Sequence, residues 1–262
     1  MAKHFWLTLT CLLIFSLPSF ALASSKTMEY ETLLLNDVGL FDPARLISAI
    51  AKQESSQSTM KNEKNEADYL SLVRLGIYYH NLAVGGYQKD YRGCAKKAYE
   101  ILAKIIHEHQ FPNELKPIAQ PYLGSSRSMM GGETSNPIHK IGYVNEGITF
   151  LNEAVSKYQG VSYLPRFIRA NVFIALPKFF NKEEQAFQDY LALEEWNKAD
   201  SSRIPKPIMA EVDYNLGNCY KKRNKLDTAI EYWKIAYQFD REGAAGRKAK
   251  EMLKAFEAAY VE

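Results

Sequence analysis

Apolar and polar positions divide the chain into a few unlike textures. Phe5 to Phe20 is a nearly uncharged apolar run of 16 residues behind Lys3 and His4, and it closes on the small residues Ala21 and Ala23. Residues 54–67 (ESSQSTMKNEKNEA) are polar throughout and predict a loop. Most of the rest carries apolar residues at helical spacing. Leu46, Ile47 and Ile50 form one such face behind Asp42-Pro43, a side-chain cap followed by a first-turn proline that predicts a helix start. Met252, Leu253 and Phe256 form another in the Ala- and Lys-rich stretch 244–262. The clearest pattern lies at 210–240, AEVDYNLGNCYKKRNKLDTAIEYWKIAYQFD, where two amphipathic segments flank a short polar turn.

In that hairpin, small residues let two helices approach while aromatics fill the space between them. Leu216, Gly217, Tyr220, Ala229 and Ala236 stand at the spacing of a tetratricopeptide repeat (TPR), with Trp233 in place of the usual Phe or Tyr. The segment resembles that family of helical hairpins. It departs from the pattern in lacking the proline after the second helix, where Arg241 stands. The resemblance implies a right-handed α-solenoid that acts as a protein-binding scaffold. Weaker copies precede it. Small residues in first helices occur at Gly76, Gly124, Ala170 and Gly217, at intervals of 48, 46 and 47. Second helices follow as Ala95-Tyr99-Leu102, Gly147-Leu151-Ala154, Ala186-Tyr190-Leu193 and Ala229-Trp233-Ala236. The expected fold is all-α: about four divergent TPR-like hairpins with an N-terminal helix and a C-terminal capping helix.

The breakers predict where hairpins turn. Residues 83–93 (AVGGYQKDYRG) and 131–137 (GGETSNP) separate the helices of the first two hairpins. In the third, Pro177 ends the first helix and Asn181 caps the second. Phe111-Pro112, Gly160 and residues 198–207 (KADSSRIPKP) join hairpins, the last as the expected flexible joint. The resulting division is a signal peptide at 1–23, an N-terminal helix and polar loop at 24–67, divergent hairpins at 68–197, and the TPR-like repeat with its capping helix at 198–262. Residues 121–177 also resemble the divergent helical repeats of some bacterial exported proteins, a likeness to which no activity attaches.

The first 23 residues read as a secretory signal peptide cut after Ala23, since the run is short for a membrane span and Pro18 interrupts it. Cys11 lies inside the run and would be discarded with it. The mature chain is then expected to be periplasmic or secreted, with no membrane span. Its charge is nearly balanced, 32 Lys plus Arg against 30 Asp plus Glu, which is no footprint for nucleic acid. Cys94 and Cys219 remain, in hairpins far apart, and read as two buried thiols.

Motifs for chemistry are sparse. Residues 46–58, LISAIAKQESSQS, end a helix on Gln53-Glu54-Ser55 and resemble the catalytic-glutamate motif of lytic transglycosylases, which implies Glu54 as a general acid. The glycine-rich run that follows in that family has no counterpart here. His107 and His109 are two apart and diverge on a helix; no metal or cofactor motif is present. Leu123-Gly124-Ser125-Ser126 lacks the second glycine of a nucleophile elbow, and a nucleophilic Ser125 would need a His and an acid that the sequence does not place. Arg127, Lys140, Arg166 and Arg169 crowd into helices expected to be partly buried. They either pair with carboxylates such as Glu146 and Glu153 or form an anion pocket. In TPR proteins the first helices line a concave groove. On the last repeat that implies a partner-binding face of Glu211, Tyr214, Asn218 and Lys221, unless these are ordinary solvated polar residues. The expected partner is an envelope protein or peptide, and the expected role is non-catalytic.

Overall fold

The computed structural model describes residues 25–38, 42–57, 64–85 and 91–259, so the expected signal peptide lies outside the described residues. Among the described residues the chain is all-α, without strands. Its helices are α1 (Ser25–Val38), α2 (Pro43–Gln57), α3 (Glu66–Gly85), α4 (Cys94–Ile106), α5 (Lys116–Glu133), α6 (Pro137–Tyr158), α7 (Leu164–Ala175), α8 (Glu183–Ala199), α9 (Lys206–Lys222), α10 (Leu226–Phe239) and α11 (Ala244–Ala259). α3 packs on α4, α5 on α6, α7 on α8 and α9 on α10; each pair also touches the next, and α11 covers α9 and α10. None of these helices is long and apolar enough to cross a membrane.

The small residues do what their spacing predicts. A Cβ on Gly76 would lie 2.7 Å from Leu102 Cγ, one on Gly124 3.0 Å from Leu151 Cγ, and one on Gly217 2.4 Å from Trp233 Nε1. Each contact joins a first helix to its own second helix. Ala170 is fully buried, as are Leu102, Leu151, Tyr190 and Trp233. One hydrophobic cluster runs from Tyr30 to Cys219 across the boundaries at 67/68 and 197/198. A smaller one, of Ala229, Trp233, Ala236 and Ala249, lies between α10 and α11.

Several sequence expectations are corrected. The N-terminal region holds two helices, not one. α1 buries Thr27, Tyr30, Glu31 and Leu34 on a single face, but Lys26, Glu29 and Glu31 dilute the apolar signal. α2 starts as expected, with Ala44 N donating to Asp42 Oδ1 at 2.9 Å, yet continues through residues 54–57 of the supposed loop. Gly131 and Gly132 lie inside α5 and do not break it. A Cβ on Gly131 would sit 2.9 Å from Val144 Cγ2 and 3.0 Å from the Lys140 carbonyl, so this glycine admits α6. The turn falls instead at Asn136, whose side chain accepts from Ile138 N at 2.9 Å and His139 N at 3.3 Å. Asn181 does not cap α8: it adopts φ 51° after a 3-10 turn, and Lys182 takes the cap position without a side-chain bond. The segment after α8 is a packed turn: Asp200 Oδ1 accepts from Ser202 N and Oγ, Ile204 is 2% exposed, and the Arg203 guanidinium lies 4.6 Å over the Trp196 ring. Cys94 and Cys219 are free thiols, Cys219 buried and Cys94 half-buried.

Candidate binding groove

The structure holds a cavity of about 1120 Å³. Helices α3, α5, α7 and α9 line it with Asn81, Ser125, Asn171 and Glu211 among others, α1 adds Glu31, and the segments after α7 and α8 and the start of α11 complete the wall. Second helices contribute little of it. Val84, Ile141 and Phe179 line the cavity and remain exposed, Phe179 at 72%, as do the charged Arg92 and Lys140.

Within this apolar wall lie buried polar groups. On α3 and α5, His80 Nδ1 is 3.0 Å from Asn81 Oδ1 and its Nε2 is 2.8 Å from Ser125 Oγ. Burial pushes the imidazole down to about 4, so it is neutral near pH 7. On α1, Glu31 is 6% exposed and accepts from the Ser162 hydroxyl. Burial raises its carboxyl to about 7, against the opposing pull of Ser162 and of the Arg203 charge. On α9, Glu211 Oε1 accepts from Asn171 Nδ2 at 2.9 Å, and burial raises this carboxyl too. Tyr190 Oη donates to Asn171 Oδ1 at 2.7 Å, fixing that amide from behind. Asn81 Nδ2, Ser128 Oγ and Tyr163 Oη are buried without a hydrogen-bond partner among the described residues, and all three residues line the cavity.

Of the four residues expected to form the partner face, only Glu211 reaches this cavity. The stripe is not an open groove. Tyr214, like Met252, Leu253 and Phe256 of α11, packs against the buried cluster of Ala229, Trp233, Ala236 and Ala249, and the Lys221 ammonium lies 5.0 Å over the Phe256 ring. Asn218 is half-buried on the same helix. α11 packs on α9 and on the same buried cluster as Tyr214, while Lys221 stays exposed.

Glu54 lacks the apolar shield that a general acid needs. It is exposed at the end of α2, where the Tyr79 hydroxyl donates to its Oε1 at 2.5 Å. The middle arginines are held by carboxylates. Arg127 pairs with Glu146 at 2.6 Å, between the Tyr99 and Tyr143 rings. Arg169 makes a two-pronged contact with Asp189, Nε to Oδ2 and Nη2 to Oδ1, each at 2.7 Å. Arg166 Nη1 reaches the same carboxylate at 3.0 Å. Asp189, not Glu153, is their partner. Lys140 alone of the four is exposed, on the cavity rim. Among the described residues no cluster of His, Cys, Asp and Glu is arranged to hold a metal ion.

Sequence reasoning missed His80, Asn81, Asn171 and Glu31 as cavity residues. One signal was available for Asn171: it stands directly after Ala170, as Ser125 stands after Gly124 and Asn218 after Gly217. No protein-family model, no curated protein and no solved structure matches the chain.

Proposed function

We propose that the chain is an exported, non-catalytic scaffold, a right-handed α-solenoid of about four TPR-like hairpins, that binds an envelope protein or peptide in its concave groove. The observation that carries this reading is the makeup of the cavity: α3, α5, α7 and α9 each contribute to its wall, whereas α8 and α10 do not and α4 and α6 contribute little. That division of labour is what the hairpin resemblance implies for a concave binding face. A cavity of about 1120 Å³ with Val84, Ile141 and Phe179 exposed along its edge suits an extended segment with apolar side chains. The polar groups along its wall suit directional contacts to that segment's backbone.

The test is site-specific photo-crosslinking of the exported protein in its native envelope. A benzophenone amino acid goes at Val172, inside the groove, and in a second variant at Glu231, exposed on α10. The groove position is expected to yield a discrete adduct, identified by mass spectrometry, that the α10 position does not. Equal labelling from both, or a discrete adduct only from position 231, would move the binding surface off the groove.

A further inference from the structure

The hydrogen bonds around His80 leave a specific remainder. In one arrangement Asn81 Oδ1 accepts from Nδ1–H, as the 3.0 Å contact stands, and Nε2 accepts the Ser125 hydroxyl proton at 2.8 Å. Asn81 then has its NH2 left to donate, and Ser125 Oγ has lone pairs left to accept. If the Asn81 amide is turned over, the ring tautomer reverses. Asn81 is then left with an acceptor and Ser125 with a donor. Both arrangements leave one donor and one acceptor, on either side of one imidazole. A peptide group offers the complementary pair, one carbonyl acceptor and one N–H donor.

A structural bridge between α3 and α5 needs only the His80–Ser125 bond and leaves nothing over. Here the Asn81 side-chain nitrogen is buried without a partner, in a residue 3% exposed that lines the cavity. Such a group costs stability unless something pairs it. Its surroundings also select by charge. His80 is neutral, because burial holds its ring to about 4, and Asn81, Ser125 and Ser128 carry no charge. A bound carboxylate or ammonium would lose hydration there without an ion pair from any of these four side chains.

We infer that Asn81 and Ser125, joined through His80, form a subsite that takes one neutral peptide group of an extended, apolar segment lying in the groove. This rests on the reading of the groove as a peptide-binding face and adds which chemistry it grips. His80 is a positioning residue, since it acts by fixing which atoms Asn81 and Ser125 have to spare.

Three small probes of one shape separate the claims: N-methylisovaleramide, methyl isovalerate (the same carbonyl without the N–H) and sodium isovalerate. Each is titrated into the protein labelled at methyl groups, Asn side-chain amides and His rings, and followed by NMR. The amide is expected to shift the Asn81 side-chain signals and the His80 ring nitrogens, and to bind about tenfold tighter than the ester or the acid. Asn81→Leu should abolish that preference while the methyl spectrum stays dispersed. Ser125→Ala, which removes a single oxygen, gives the second test should the first variant not fold. Equal affinity for ester and amide, a preference for the acid, or a preference unchanged in both variants would overturn the subsite. If the Val144 and Val172 methyls shift without Asn81, the subsite fails and the groove reading stands. If no cavity signal moves with any probe, both readings fail.

Discussion

Glu31→Gln should change how stability depends on pH, in a direction the burial of this carboxyl fixes. Glu31 is 6% exposed and its carboxyl is raised from 4.5 to about 7, by burial first. A carboxyl whose folded-state pKa lies above its unfolded value adds stability that is complete below the unfolded pKa and is lost as pH rises through the folded one. The window is therefore pH 4.5 to about 7, and the difference across it is about 3 kcal/mol. His80 runs the other way. Its ring is lowered from 6.5 to about 4, so its contribution is present above 6.5 and is lost as pH falls through 4. The two terms nearly cancel in the native chain. Asp213, 3% exposed and raised to about 7 by burial and then by Glu194, acts in the same sense as Glu31. Replacing Glu31 removes one of the carboxyl terms and leaves the histidine term. Thermal unfolding followed by circular dichroism from pH 4.5 to 8.5 is the assay. Relative to the native chain, the variant should lose about 3 kcal/mol on going from the alkaline to the acid end. That is roughly 6–12 °C in melting temperature for a chain of this size. Parallel pH profiles for the two proteins would refute the argument, because they would mean that Glu31 does not titrate differently in the folded state.

Three further outcomes follow from named contacts. Gly217→Ala puts a methyl group 2.4 Å from Trp233 Nε1 and 3.0 Å from the Ala229 carbonyl. Overpacking of about 1–3 kcal/mol should outweigh the 0.5–1 kcal/mol of helix propensity returned, so a melting temperature at or above the native value would contradict it. Asp189→Asn leaves Arg166 and Arg169 without their counter-charge and should lower the urea midpoint, at a cost of about 3–5 kcal/mol. An unchanged midpoint would show that the pair of guanidiniums is satisfied elsewhere. Glu54→Gln should leave clearing of cell walls in a zymogram at the native level. Any clearing by the native protein that this substitution removes would revive the hydrolytic reading.

The parts of the fold that were legible in the sequence are those where one residue type has one physical use. Glycine facing a bulky partner is such a case, and Gly76, Gly124 and Gly217 each sit against the second helix of their own hairpin. Asp42 before Pro43 is another, with its carboxylate on the Ala44 amide. The misreadings come from residues with two uses. Gly131 serves equally as a helix breaker and as a surface for close approach, and only the position of α6 decides between them. Asn181 is a good cap and also a residue that tolerates the left-handed region, which is the use it has. The cavity was harder to read than the fold because its wall is assembled from positions far apart in the chain. His80 and Ser125 are 45 residues apart, and nothing local in either helix announces a bond between them.

In α5 and α7 the two levels nonetheless share one geometric cause, which does not extend to α3, where Ile77 after Gly76 is buried in the core. Consecutive residues on a helix point about 100° apart. When a small residue such as Gly124 or Ala170 is turned toward its own second helix, the next residue is turned away from it, toward the inner side. Ser125 and Asn171 stand in that position and line the cavity. Asn218 stands in it too, after Gly217, but belongs to the last hairpin, where α11 lies across the same side of α9. The cavity wall nevertheless continues past α9, through Asp240 and Gly243 to Ala244 and Ala245 at the start of α11. α11 thus both covers the cluster of Ala229, Trp233 and Ala236 and supplies the last piece of that wall. Substitutions at Ser125 and Asn171, which line the cavity, should weaken a partner's binding more than the same change at Asn218, which does not.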